Sequence, residues 1–138
     1  MRFFTLLGSV ALIVACQSAD PAGPNEAFDG ITAEETVRFT GTEPFWGGEV
    51  AQGMARYSTP ENPDGTRFAV ERFAGLSGIS FSGKIDGTGF DLLVTAGTCS
   101  DGMSDRSYPF TATLRIGTET REGCAWTEAR PPVADRVP

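Results

Sequence analysis

The sequence predicts an all-β domain, a small antiparallel barrel or sandwich of about eight strands held by a disulfide. Three observations carry this. Apolar residues recur at every second position through three segments. Turn-forming residues separate those segments. No run of ten residues shows an apolar stripe of helical period.

The alternation is clearest in the middle of the chain. Ile79, Phe81 and Ile85 share one face, with Ser80, Ser82 and Lys84 on the other. Phe90, Leu92, Val94 and Ala96 alternate with Asp91, Leu93 and Thr95. Tyr108, Phe110, Ala112, Leu114 and Ile116 alternate with Pro109, Thr111, Thr113 and Arg115. Side chains in a strand point to opposite faces in turn, so these read as half-buried antiparallel strands. Weaker strands are expected at 36–40, 46–51, 54–58 and 67–73, and a last one at 122–127. Asp86-Gly87-Thr88-Gly89 and Gly117-Thr118 read as hairpin turns, and Asn62-Pro63-Asp64-Gly65 as a turn by its chemistry.

Ahead of this domain, residues 1–15 read as a secretory signal. Met1 and Arg2 make a short positive start, and 3–15 is an uncharged apolar run of thirteen residues, short of the ~20 that a spanning helix needs. The run ends in Ile13-Val14-Ala15-Cys16, which resembles the lipobox of bacterial lipoproteins. The resemblance implies cleavage before Cys16, lipidation of its thiol and a stable anchor made by several acyl chains. Gln17 follows where an aspartate would imply retention at the inner membrane, so the expected location is the outer membrane, facing the periplasm. Residues 16–33 then read as the lipidated cysteine and a flexible tether. Sixteen coil residues span roughly 22 Å root-mean-square. The β-domain is expected at 34–127, and 128–138, with three prolines, as a loose tail.

Composition excludes many function classes. The 138 residues contain no histidine, which rules out Ser-His-Asp triads, Cys-His dyads and histidine metal sites. Three cysteines cannot form a four-thiolate zinc site. The net charge is −7, and loss of Arg2 with the signal leaves 10 basic against 18 acidic residues, a net −8. That balance argues against nucleic acid as a partner. Export would place Cys99 and Cys124 in an oxidising compartment, and they are not in a Cys-x-x-Cys arrangement, so a structural disulfide is expected.

Three segments carry residue types that could do chemistry. Gly78 to Lys84 has the glycine and lysine spacing of a phosphate-binding loop, but Ile85 stands where Ser or Thr should hold magnesium, and the segment alternates as a strand. No nucleotide is expected. Asp101-Gly102-Met103-Ser104-Asp105-Arg106 is the densest polar loop. Its carboxylates and hydroxyl are of the type that ligates calcium, but the EF-hand spacing is missing. The plainer reading has Asp side chains capping backbone amides and Arg106 pairing locally. In Gly41-Thr42-Glu43-Pro44-Phe45-Trp46 two adjacent rings must point opposite ways, one to plug the barrel core and the other to sit at its mouth. Glu43, Phe45, Trp46, Asp101, Ser104, Asp105, Arg106 and Tyr108 are therefore the candidate contacts for a ligand or partner. No catalytic residue, metal or cofactor is expected.

Taken together, Gly41 to Trp46, the Cys99-Ser100-Asp101-Gly102-Met103-Ser104-Asp105 run, Tyr108-Pro109 and Gly123-Cys124-Ala125 resemble a family of uncharacterised bacterial envelope proteins, many of them lipoproteins. The similarity covers roughly Phe39 to Ala125 and brings no established activity. A small disulfide-bearing β-domain behind a lipobox is also loosely similar to membrane-bound lysozyme inhibitors and META-type lipoproteins, although the inhibitors' Ser/Lys loop pattern does not map onto this chain. The resulting expectation is a non-enzymatic envelope module that binds a protein or cell-wall fragment. The alternatives are a lysozyme-inhibitor-like protein and a hydrolase using a carboxylate pair drawn from Glu43, Asp101 and Asp105.

Overall fold

A computed structural model describes residues 26–134. The expected signal, Cys16, Gln17 and the last four residues lie outside it. The strands are β1 (Val37–Thr42), β2 (Phe45–Ala51), β3 (Met54–Thr59), β4 (Asn62–Ala74), β5 (Gly78–Ile85), β6 (Thr88–Ser100), β7 (Arg106–Ile116), β8 (Glu119–Trp126) and a short β9 (Val133–Ala134). No helix occurs among the described residues. Each of β1 to β8 pairs antiparallel with its neighbour in sequence, and β1 pairs with β8, so eight strands close an up-and-down barrel. Closure removes the free edges that an open sheet of this size would expose.

The period-two pattern decides what fills the barrel. Ile79, Phe81 and Ile85, then Phe90, Leu92 and Val94, then Phe110, Ala112 and Leu114 are all buried. Phe39, Trp46, Val50, Ala55, Phe68 and Val70 from the first four strands complete the same cluster. Phe90 sits between the Tyr57 and Phe68 rings, meeting both edge-on at 5.8 and 4.8 Å. Such arrangements match the quadrupoles of aromatic rings. Gly78–Ile85 is strand throughout, as its alternation predicts.

Several boundaries differ from the sequence reading. Asn62-Pro63-Asp64-Gly65 is not the turn; the chain reverses at Pro60-Glu61, where Thr59 pairs with Asn62. A register shift between Tyr57 and Thr59 absorbs Gly65, whose φ is +80°, so the turn-type residues sit at an irregularity just inside β4. Ala96 is exposed instead of continuing the buried face, because β6 is irregular between Ala96 and Cys99.

The tether ends earlier than expected. Ile31 is 1% exposed and belongs to the core, and Phe28 packs edge-on to Phe110 at 6.5 Å. Arg72 donates to the Ile31 carbonyl at 2.7 Å, and the Phe28 amide donates to the Gly75 carbonyl. Two isolated apolar residues in a polar segment give no periodic signal, yet each finds a place at the barrel end where β1 starts. The tail is also held at its start. The Thr127 hydroxyl donates to Glu35 and accepts from the Arg130 amide, and β9 pairs with Arg106 and Ser107 of β7.

Candidate functional site

The barrel has two unlike ends. One carries the hairpin turns after β1, β3, β5 and β7. The other, the entry end, carries residues 26–36 and the connections after β2, β4 and β6. At the turn end, the two rings of Phe45-Trp46 separate as alternation requires: Phe45 is 53% exposed and Trp46 only 4%. The indole packs on Phe39 at 5.8 Å, over the bare backbone of Gly41 and Gly123. Beside it, Arg121 reaches from β8 and donates to the Tyr57 hydroxyl at 2.6 Å, while its other nitrogen holds Glu119 at 2.8 Å.

The second feature is an arm. Beyond the irregularity at Gly97, the end of β6 and the start of β7 stay paired, Cys99 opposite Tyr108 and Ser100 opposite Ser107. This ribbon folds onto the outer wall over β8 and β1. Cys99 is disulfide-bonded to Cys124, with Cα atoms 5.6 Å apart. The Tyr108 ring lies 5.3 Å from Trp126, and Thr42 of β1 donates to the Asp101 carbonyl at 3.2 Å. Three attachments along its length thus fix the arm.

Asp101 organises the arm's loop. One carboxylate oxygen accepts the amides of Met103 at 2.9 Å and Ser104 at 2.8 Å; the other accepts the Ser104 hydroxyl at 2.7 Å and the Tyr108 hydroxyl at 3.3 Å. These donors, the Ser104 amide foremost and then that of Met103, lower the Asp101 pKa from 3.8 to about 2. Burial, and then the charge of Asp101, raise the Tyr108 phenol above its ordinary value. Tyr57 is raised as well, by burial first, with Arg121 opposing.

Between the arm and the β1–β2 turn runs a groove of about 920 Å³, lined by Thr42, Glu43, Pro44, Asp101, Gly102, Met103 and the Glu119-Thr120-Arg121-Glu122 start of β8. Its lining holds four acidic residues and one arginine, whose guanidinium is already engaged by Glu119 and Tyr57. A narrower extension of about 380 Å³ continues beneath Cys99 and Ser100 over Thr40, Thr111 and Thr113.

The expected site residues therefore divide. Glu43 and Asp101 come together as walls of one groove. Ser104, Tyr108 and Arg106 support the loop, the Arg106 amide donating to Ser104 at 3.3 Å, and Asp105 is exposed outside the groove lining. Trp46 is core, and Phe45 faces a separate shallow depression of about 320 Å³ with Pro60 and Pro63. The sequence reading missed residues 119–122. Their signal was three charged residues among the four that follow the Gly117-Thr118 turn. Both Asp101 oxygens accept bonds from the loop itself, so the capping role expected for this aspartate is the one its contacts show. Among the described residues no group of three or more Cys, Asp or Glu is placed to hold a metal ion. No family model matches the chain, and no curated protein or solved structure matches it.

Proposed function

We propose that this is a lipid-anchored envelope protein, held at Cys16 on the periplasmic face of the outer membrane, whose barrel binds a cationic envelope protein without catalysis. The observation that carries the reading is the groove: carboxylates on a disulfide-fixed arm, on the β1–β2 turn and on β8 face one opening with no unpaired cation among its lining residues. A preformed acidic surface steers and orients a basic partner without the ordering cost of a mobile loop. The disulfide suits an oxidising compartment, and the resemblance to envelope lipoproteins supports the anchor.

Cross-linking in intact envelopes tests this. The wild-type chain is expected to capture a partner that a Glu43→Lys/Glu122→Lys variant loses. Equal capture by both, or capture by neither, would overturn the proposal. Lysozyme is the sharpest cationic candidate, and a turbidity assay in which the domain leaves lysis unchanged removes it.

A carboxylate-pair hydrolase is the second reading, favoured by Glu43 and Asp101 meeting in the same groove. Asp101, with its pKa near 2, holds no proton to give at neutral pH and could act in such a pair only as its ionised member. Release of reducing sugar from cell-wall fragments that disappears in Glu43→Gln would support this reading over binding alone.

A further inference from the structure

We propose that the tip of the β4–β5 hairpin is a membrane-contact surface, with Phe73 and Leu76 entering the headgroup layer of the bilayer that holds the anchor. The proposal rests on the reading of Cys16 as lipidated. Phe73 is 70% exposed and Leu76 64%, the first and third most exposed large apolar residues of the described chain. Leu76 lies within, and Phe73 two residues before, a reversal closed by the Gly75 amide donating to the Gly78 carbonyl at 2.8 Å, so both project at the tip.

Two further observations point to lipid as the occupant. The first is where the chain enters. The Phe28 amide is bonded to the Gly75 carbonyl in the same tip, at 2.7 Å. Cys16 and Glu26 are ten residues apart, which bridge no more than about 35 Å however they are arranged. An anchor at Cys16 therefore keeps Glu26, and the tip bonded to Phe28 two residues on, within tether reach of the bilayer surface.

The second is the distribution of charge. Phe73 lies in register with Ser80 of β5 and Leu93 of β6, and Leu93 is also exposed. One row further from the tip the same strands carry Glu71, Ser82 and Asp91. No charged residue occurs from Phe73 to Gly83. In a chain of net charge −7, an uncharged apolar rim backed by an acidic row suits shallow insertion, with the carboxylates left in water. Glu26 and Asp29 flank Phe28, so the contact depends on apolar burial and not on attraction to anionic lipid.

The experiment uses the full chain purified with its N-terminus as the cell makes it and reconstituted in phosphatidylcholine vesicles carrying a doxyl quencher. Mass spectrometry of the N-terminal peptide reads the state of Cys16. Leu76→Trp places a probe on the tip, and Thr118→Trp places a control on the opposite end; the wild-type chain supplies the background of Trp46 and Trp126. Phe73→Trp reports the same surface should Leu76→Trp fail to fold. Quenching of the tip probe at least about twofold above the control is expected. Equal quenching with Cys16 acylated overturns the tip and leaves the anchor. Selective quenching with Cys16 unacylated overturns the anchor and leaves the tip; with neither, both fall. A blue shift of the tip probe that grows with protein concentration and needs no vesicles assigns the surface to a second copy of the chain and overturns the proposal.

Discussion

The indole of Trp46 fills the space that a side chain at Gly41 would need. A Cβ at Gly41 would collide with Nε1 and its neighbours in the ring, and one at Gly123 would press on the same indole from β8. Gly41 and Trp46 are directly paired across β1 and β2, so a small residue and a large one share one layer of the barrel. Small barrels fill their taper by this alternation. It also explains why the GTEPFW segment carries a glycine five residues ahead of its tryptophan: the two positions constrain one another.

Gly41→Ala is therefore expected to destabilise the fold by about 1–3 kcal/mol through overpacking. Trp46→Ala is expected to cost about 3–5 kcal/mol through the cavity it leaves. Because the two side chains compete for one volume, Gly41→Ala/Trp46→Leu should be more stable than the sum of Gly41→Ala and Trp46→Leu predicts. Urea unfolding of Gly41→Ala, Trp46→Leu and their double variant measures this, and strict additivity would contradict the shared-volume account.

The Cys99–Cys124 disulfide closes a loop of 25 residues and pins the arm to β8. Replacing both cysteines by serine should lower stability by roughly 3 kcal/mol and the thermal midpoint by on the order of 10–20 °C. The barrel itself, closed by β-pairing, should keep its far-ultraviolet circular dichroism. Amide exchange should rise first at residues 99–104, because Thr42 and Trp126 are then the remaining attachments there. Uniform loss of protection across β1 to β8 would show that the bridge supports the barrel and not the arm.

How much of this was legible follows from where the physics is local. The alternation at 79–85, 90–94 and 108–116 marked the central strands because burial in a barrel repeats every second residue. Asp86-Gly87 and Gly117-Thr118 marked hairpins because positive φ at Asp86, Gly87 and Gly117 selects those residue types. The opposite directions of Phe45 and Trp46 followed from strand geometry alone. The groove did not, because its walls lie far apart in sequence: Glu43, Asp101 and Glu122 meet only when the arm folds back over β8. Phe28 and Ile31 read as tether for a related reason, since a plug of two residues leaves no period to detect.

The chain has two tyrosines, Tyr57 and Tyr108, and burial raises both phenols above 10.0. A raised folded-state value means that the native form holds these protons more tightly than the unfolded chain. The associated stability is complete below pH 10 and is lost as pH rises through the folded-state values. Absorbance at the phenolate band should place the folded-state transition of both groups above that of the unfolded chain. Tyr57→Phe should remove part of the alkaline sensitivity and leave Arg121 without its buried acceptor. A tyrosine that titrates at its ordinary value in the native protein would contradict this.

Asp101 makes the opposite prediction at low pH. Its carboxyl is lowered to about 2, so its stabilising contribution is present above the unfolded value near 4 and is lost as pH falls through about 2. Between those limits the loop should stay closed although an ordinary aspartate would already be protonated. Asp101→Asn keeps the shape but weakens acceptance from the Met103 and Ser104 amides and the Tyr108 hydroxyl. Faster exchange at amides 103 and 104 is expected at neutral pH, with the barrel strands unchanged. The Tyr108 phenol should also ionise more readily, because the neighbouring charge that opposes its ionisation is gone. Both readouts together separate a charged cap from simple packing: a variant that loosens the loop and leaves the Tyr108 titration in place would show that the two side chains are not coupled.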